Sequence, residues 1–287
     1  MQGAQVVASR LSRRALLVFD FDGTLWRGNE PLEAYAELVS LGLDPAERGA
    51  FLADVRAFLR GDHWLVTGLR PPPDDGWAAI ATFAADRGAA PVHRQAAFHE
   101  TRRRIAAGEF RLEVPRGLPE FLAAARDSCV IALASNSPAA SVHPVLERLG
   151  LAPYFDEVAS DAGKPGGLPA IVDGWIGVWR PAHVMSIGDH YRNDIEPAAR
   201  RGWFTTHISP WRWIPGPCSI AGATVEDVLP ALRSWVGAAA VAPDEPQGNS
   251  APDLGHRSTT RPAPAIPGTR VGPGSPEQPE KEVYRTA

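Results

Sequence analysis

The sequence predicts an α/β protein whose doubly wound parallel sheet is interrupted by an inserted helical unit. From residue 113 onward, short apolar runs of strand length alternate with helical patterns, which is typical of successive β–α units. Between residues 31 and 108, helical patterns instead follow one another without a convincing strand. The 287 residues, of which 44% are hydrophobic, suffice for one large domain or two smaller ones.

The first predicted strand, residues 15–19, is a continuous apolar run that ends abruptly in Asp20-Phe21-Asp22-Gly23-Thr24. Carboxylates at positions i and i+2 of a strand exit project to the same side, so Asp20 and Asp22 can face one ligand. Gly23 allows the backbone to turn sharply behind them. Taken alone, the motif leaves open an ordinary acidic turn centred on Asp22-Gly23.

The inserted unit is predicted to be entirely helical. Its clearest helix spans residues 45–60, where apolar side chains at i, i+4, i+7 and i+8 form one stripe. The other expected helices cover residues 31–41, a segment around 77–88, and a segment that contains Phe98, Arg102 and Ile105 and closes at Gly108.

The remaining β–α units follow in chain order. Helices are predicted at 118–126, 140–149, 168–178, 196–201 and 225–236, and strands at 129–134, 157–159, 183–187 and 203–208. Polar residues follow three of these strands, namely Ser135-Asn136, Lys164 in a glycine-rich loop, and Asp189 with Asp194. Because ligands bind at the carboxyl ends of strands in a doubly wound sheet, we expect these residues to form one site with Asp20 and Asp22.

The residue types in this expected site indicate phosphoryl transfer. Carboxylates that converge without a cation repel one another and shift their pKa values upward, so a divalent ion is required. Oxygen ligands with no nearby histidine or cysteine cluster favour Mg²⁺. A lysine and a hydroxyl would then supply positive charge and a hydrogen bond to an anion beside the metal.

The four motifs resemble those of the haloacid dehalogenase (HAD) superfamily, in its phosphatase branch with an α-helical cap, similar to phosphoglycolate phosphatase. The resemblance covers about residues 16–208 and rests on the ordered motifs DFDGT, SN, KP and GD with a later aspartate. It implies a Rossmann-like HAD core made of residues 15–28 and 113–237. It also implies that residues 29–112 form a mobile cap with hinges near Glu30 and Glu113.

The resemblance also implies a role for each motif residue. Asp20 would be the nucleophile that becomes an aspartyl-phosphate, and Asp22 the general acid that later activates water. The substrate phosphate would be bound by Ser135, Asn136 and the catalytic lysine, Lys164. The Mg²⁺ ligands would be Asp20, Asp22 through its backbone carbonyl, Asp189 and, from the second shell, Asp194. Asp22 favours phosphoryl transfer, because carbon–halogen cleavage needs no leaving-group acid.

The expected function is therefore Mg²⁺-dependent hydrolysis of a small phosphorylated metabolite. A sugar phosphomutase would share all four motifs and remains an alternative. A catalytically idle, partner-binding protein that uses the proline-rich tail is a less favoured one. The choice of phosphomonoester and the oligomeric state, monomer or dimer, stay open.

Composition limits the classes of binding partner and the cellular location that we expect. A net charge of −4 and a pI near 6.1 provide no basic field for nucleic acid or anionic lipid, so neither partner is expected. Two cysteines cannot form a disulfide framework, and no apolar run has membrane-spanning length, so a cytoplasmic protein is expected. Residues 1–14 are expected to be flexible, and the Pro-, Gly- and Ser-rich segment 238–287 to be disordered.

Other residues in the cap are weighed as follows. The run Arg102-Arg103-Arg104 beside Glu100 is expected to be a solvated face of its helix. His63, Trp64 and Arg70 lie in a loop between cap helices, where the resemblance places residues that determine substrate specificity.

Overall fold

A computed structural model describes residues 13–62, 73–211 and 214–241. Most of the predicted flexible N-terminus and most of the predicted tail lie outside the described residues. The same holds for the three candidate specificity residues His63, Trp64 and Arg70. No helix in the described ranges is both long enough and apolar enough to cross a membrane.

The core is a six-stranded parallel sheet with the strand order β3-β2-β1-β4-β5-β6. The strands are β1 (Ala15–Phe19), β2 (Cys129–Ala134), β3 (Glu157–Ala159), β4 (His183–Gly188), β5 (Phe204–Ile208) and β6 (Ile220–Gly222). In the centre, Phe19 lies opposite Leu133 of β2 and Ile187 of β4. The polar residues that follow these strands therefore leave the sheet at one edge.

The helices on the sheet are α5 (Leu118–Ala125), α6 (Ala139–Arg148), α7 (Leu168–Trp179), α8 (Glu196–Arg200) and α9 (Val225–Val241). Leu17 and Phe19 pack into one apolar cluster with α5, α6 and α9, whereas Leu16 and Val18 pack into a second cluster with α7. Alternate residues of β1 thus face opposite layers, which explains its continuous apolar run. The predicted doubly wound α/β fold is confirmed.

The end of the last helix and one short strand differ from the sequence prediction. Helix α9 continues to Val241, so residues 238–241 are helical and Ala239 is buried against the core, where a disordered tail was expected to begin. The segment is rich in alanine, the best helix former, and Trp235 anchors the preceding turn. Strand β6 was not predicted, because three half-exposed residues give no period.

The inserted helices are α1 (Glu30–Ser40), α2 (Pro45–Leu59), α3 (Gly76–Asp86) and α4 (Pro91–Ala107). They enclose an apolar cluster of their own, to which α2 contributes Phe51, Val55 and Phe58 from the predicted stripe. Helix α2 begins at Pro45 because the Asp44 carboxylate accepts a hydrogen bond from the Ala46 amide at 2.9 Å.

The two chain segments that join the insertion to the sheet are paired with each other. The backbone amides of Arg27 and Glu113 each donate to the carbonyl of the other residue at 2.9 Å. Helix α4 is also anchored to the core, since Ile105 lies in the sheet cluster and Arg148 donates to the carbonyls of Ile105 and Ala106 at 2.7 and 3.0 Å. The insertion thus packs against the edge of the sheet at which the polar motifs end.

Candidate active site

Asp20 is placed at the sheet edge by β1. Its amide donates to the Ile187 carbonyl at 2.8 Å, which continues the pairing between β1 and β4 for one residue beyond the strand. Phe21 then turns into the apolar cluster and is fully buried, so the flanking carboxylates of Asp20 and Asp22 point away from the core. The expected placement of both carboxylates at the strand exit therefore has a packing cause.

Lys164 joins two of the predicted acidic residues. Its ammonium donates to Oδ1 of Asp20 and to Oδ1 of Asp194, both at 2.6 Å, and its side chain is 3% exposed. Burial lowers the pKa of Lys164, but the carboxylates of Asp194 and Asp20 outweigh this effect and hold the pKa above its usual range. Lys164 is therefore a permanent buried cation in contact with the proposed nucleophile.

Asn136 holds the loop that carries this lysine. Its side-chain oxygen accepts from the Lys164 amide at 2.7 Å, and its side-chain nitrogen donates to the Lys164 carbonyl at 3.0 Å. Ser135 is buried beside it, and its hydroxyl oxygen accepts from the Ser137 amide at 3.0 Å, which leaves the hydroxyl hydrogen free to donate. The role of both residues in binding phosphate stays a prediction.

The carboxylates of Asp20, Asp189 and Asp194 form a compact cluster, with one oxygen of each lying within 4.8 Å of the others. Burial raises the pKa of Asp20 to about 7, helped by Asp194 and Asp22 and opposed by Lys164. Burial and the neighbouring carboxylates, Asp20 first, hold the pKa of Asp189 well above its usual range. Such an all-oxygen cluster, with like charges repelling one another, fits a hard divalent cation.

Asp22 receives a hydrogen bond on each carboxylate oxygen. Nη1 of Arg102 donates to Oδ1 at 2.9 Å, and the Ser137 hydroxyl donates to Oδ2 at 2.6 Å. The expectation that Arg102 belongs to a solvated face is wrong, because its side chain is 1% exposed. Arg102 lies on the same stripe of α4 as Phe98 and Ile105, and that periodicity was the signal that could have placed it inward.

Arg103 and Arg104, by contrast, follow the expectation. Arg103 pairs with Glu100 at 2.7 Å and is 63% exposed, and Arg104 pairs with Glu109 at 2.7 Å. Each successive residue of an α-helix is rotated by about 100° about the axis, so the neighbours of Arg102 leave the buried stripe. The correction therefore applies to one arginine of the three.

The insertion reaches the acidic cluster at a second point. Oδ2 of Asp74, just before α3, lies 3.0 Å from Nδ1 of His190 and accepts from the Arg192 amide at 3.2 Å. Burial lowers the pKa of His190, but the bond to Asp74 and the charges of Asp75 and Asp194 raise it to about 9. No local sequence pattern predicts this pair, because its members lie far apart in the chain.

A cavity of about 580 Å³ lies between the insertion and the sheet edge. Gly23 and Asp189 line it from the core, and Asp75 and Trp77 line it from the insertion. A volume of this size accommodates a small metabolite.

Residues 15–202 match the haloacid dehalogenase-like hydrolase family. The chain belongs to this family. YfnB from Bacillus subtilis, described as a HAD-hydrolase and bound to magnesium, has a similar structure: 17% identity, TM-score 0.51, covering 77% of this chain and 99% of that chain.

Two further solved structures are similar to this chain. A HAD phosphatase from Thermococcus onnurineus is 22% identical, with a TM-score of 0.48, and covers 78% of this chain and 98% of its own. A 2-haloacid dehalogenase from Pseudomonas syringae is 19% identical, with a TM-score of 0.46. The match covers 77% of this chain and 99% of the dehalogenase. No curated protein matches the chain. The match over residues 15–202 establishes the family, and the reaction must be inferred from the residues of the site.

In this HAD-like hydrolase, Gly23 is expected to be intolerant of a side chain. Its φ is +77°, and a Cβ atom there would overlap the Asp189 carboxylate. We expect Gly23→Ala to lower the free energy of unfolding by about 1–2 kcal/mol for backbone strain and by about 1–3 kcal/mol more for the overlap. Denaturant unfolding measures the sum.

Gly88→Ala is the matched control for this prediction. Gly88 has a φ of +79°, but a Cβ atom there would meet nothing within 4 Å. The control should therefore lose only the strain contribution of about 1–2 kcal/mol. Equal losses in the two variants would show that the approach of Asp189 to Gly23 does not constrain this site.

Proposed function

We propose that this protein is a Mg²⁺-dependent phosphomonoester hydrolase that works through an aspartyl-phosphate on Asp20. One observation carries the proposal: the buried Asp20 carboxylate is bonded to the Lys164 ammonium, in a site that Asp22 and two further aspartates share. This combination supplies a nucleophile, a cation for an anionic substrate and a second carboxyl group for proton transfer. Hydrolysis of a carbon–halogen bond would need neither the acidic cluster nor Asp22.

Asp20, Asp189 and Asp194, with the backbone carbonyl of Asp22, would hold Mg²⁺. The ion, when bound, offsets the repulsion among the carboxylates and the negative charge of the substrate phosphate. Lys164 adds a fixed positive charge beside Asp20, which allows the nucleophile to approach a phosphate dianion. Asn136 fixes the backbone of Lys164, so the ammonium keeps its position through the reaction.

In the first step, a carboxylate oxygen of Asp20 attacks phosphorus, and the bond from phosphorus to the leaving oxygen breaks. Asp22 gives its proton to that oxygen, and the alcohol departs. In the second step, Asp22 takes a proton from water while the water oxygen attacks phosphorus. The bond between phosphorus and Asp20 breaks with its electron pair returning to Asp20, and inorganic phosphate leaves. Ser135 and Lys164 donate to the phosphate oxygens in both steps.

The substrate in this proposal is a small phosphorylated metabolite. The cavity of about 580 Å³ supports this size, and Asp189 of the acidic cluster forms part of its wall.

Release of inorganic phosphate from a panel of phosphomonoesters tests the proposal. With Mg²⁺ present we expect turnover of at least one ester, and removal of the metal by EDTA should lower kcat by at least about 10²-fold, because several kcal/mol of charge stabilisation are lost. The panel includes glucose 1-phosphate and 2-chloropropionate. Conversion of the former to an isomeric phosphate without phosphate release would identify a mutase, and chloride release without phosphate release would identify a dehalogenase.

A further inference from the structure

Arg102 is a cationic side chain of the insertion that is buried at the active site. Its guanidinium carbon lies 5.4 Å from the ring centre of Trp77, 5.8 Å from that of Phe98 and 6.0 Å from that of Phe21. This aromatic enclosure replaces the water around the charge, so the guanidinium depends on a protein anion for stabilisation. Asp22 is the one carboxylate within ion-pair distance of Arg102 among the residues that the structure describes.

The other polar contacts of Arg102 do not account for its position. Its Nε donates to the Ser141 hydroxyl of α6 at 3.3 Å, a longer and weaker bond than the one to Asp22. Its Nη2 is buried without a hydrogen-bond partner in the described part of the chain. Its strongest bond is thus to the acid–base carboxylate.

Asp22 is held from two sides by groups of different origin. The Ser137 hydroxyl comes from the loop after β2, whereas Arg102 comes from α4 of the insertion. Both groups donate to the carboxylate, so together they fix the direction in which it points. Its orientation matters in the second step of the proposed hydrolysis, because there Asp22 accepts a proton from the attacking water.

We propose that Arg102 is a positioning residue for Asp22, which it holds correctly oriented for the hydrolysis of the aspartyl-phosphate. This inference rests on the proposed function. The water proton passes to Asp22, the water oxygen bonds to phosphorus, and the bond to Asp20 breaks with its electron pair returning to Asp20. Arg102 touches none of the reacting atoms, and its effect is exerted through Asp22. Removal of Arg102 therefore slows the second step rather than substrate binding.

The test uses Arg102→Met, which keeps a long apolar side chain, with p-nitrophenyl phosphate, whose leaving group needs no acid. We expect kcat to fall about 10- to 10²-fold, the range for loss of a charged hydrogen bond, with KM changed less than about threefold. Rapid quenching should show a larger steady-state fraction of phosphorylated protein than in the unmodified protein. Arg102→Lys, which keeps the charge, should recover at least part of the loss.

A double-mutant cycle with Asp22→Asn distinguishes positioning from a purely structural role. If Arg102 acts through Asp22, Arg102→Met should lower kcat by less than about threefold in the Asp22→Asn background. An equal fall in both backgrounds would overturn the inference, as would a rise in KM with unchanged kcat. Arg103→Met is the matched control, since Arg103 is on the same helix but exposed, and it should stay within about twofold of the unmodified protein.

Two controls distinguish failure of this inference from a folding defect and from failure of the proposed function. If Arg102→Met does not fold, as judged by circular dichroism, Arg102→Lys carries the test, because the shorter cation should still raise the phosphorylated fraction above that of the unmodified protein. Absence of any phosphorylated intermediate in the unmodified protein would overturn the proposed function, and this inference with it. An intermediate that forms normally and does not accumulate in the Arg102 variants would overturn the inference alone.

Discussion

Asp20→Asn is expected to abolish phosphate release, with kcat at least about 10⁴-fold below that of the unmodified protein. Asparagine has the shape of aspartate, and its side-chain oxygen still accepts from Lys164, so the loop should keep its position. The amide is not a nucleophile toward phosphorus, and no phosphorylated intermediate can form on it. Steady-state phosphate release and quenched-flow detection of the intermediate measure the two consequences.

The same substitution should not destabilise the fold in the absence of Mg²⁺. Burial raises the pKa of Asp20 from 3.8 to about 7, so the folded state binds the proton more tightly than the unfolded chain does. Stability contributed by this group therefore falls as the pH rises from about 4 to about 7, and Asp20→Asn removes that loss. Thermal unfolding at pH 7 in EDTA checks this expectation.

Asp173→Asn is the control for both measurements. Asp173 pairs with Arg201 on the surface, remote from the site, and both side chains are more than 40% exposed. We expect this variant to keep its turnover and its melting temperature, since surface pairs contribute little. Turnover of Asp20→Asn within tenfold of the control would contradict the assignment of Asp20 as the nucleophile.

Lys164→Met is expected to cause the largest loss of stability among these variants. The ammonium is the shared partner of Asp20 and Asp194, and its removal leaves two buried carboxylates without a counter-charge. Removing one partner of a buried ion pair lowers the free energy of unfolding by roughly 3–5 kcal/mol, because the remaining charge stays desolvated. Turnover should be lost as well, since the substrate phosphate would meet uncompensated negative charge. Denaturant unfolding in EDTA measures the first effect and phosphate release the second.

The loss of stability caused by Lys164→Met, which we call the deficit, should depend on Mg²⁺ and on pH. Added Mg²⁺ should stabilise the variant more than the unmodified protein, because the ion replaces part of the missing positive charge. Burial raises the pKa of Asp20 to about 7 and Lys164 opposes that rise, so without the ammonium Asp20 binds a proton more tightly and the deficit should shrink as the pH falls. Arg200→Met, which removes a cation that is 75% exposed, should change the stability by less than about 0.5 kcal/mol. A deficit of that small size in Lys164→Met would contradict the buried pairing.

The sheet and the motif residues could be predicted because their signals are local. A run such as Ala15–Phe19 is apolar throughout because both of its faces are covered, and the site residues follow directly where such strands end. Asp20, Lys164, Asp189 and Asp194 accordingly come together as expected, and their order along the chain was enough to place them.

The contacts from the insertion could not be predicted in the same way. Arg102 meets Asp22 across 80 residues, and Asp74 meets the Arg192 amide across 118. Nothing in either sequence neighbourhood specifies the partner, which is set by how α3 and α4 pack against the sheet. The apolar stripe of α4 indicated that Arg102 is buried. The three consecutive charges of the arginine run nevertheless favoured a solvated face, and that prediction was wrong for Arg102. Buried ion pairs between distant segments are therefore the part of this site that needed the structure.

The paired backbones of Arg27 and Glu113 have a consequence for how such a protein can evolve. The insertion leaves and rejoins the core at neighbouring points, so it is equivalent to a long loop whose two ends are in contact. The entropic cost of closing a loop grows only with the logarithm of its length, so helices can be added to the insertion, lost or exchanged with little effect on the stability of the core. The chemistry of the sheet edge can then be retained while selection reshapes what that chemistry acts on.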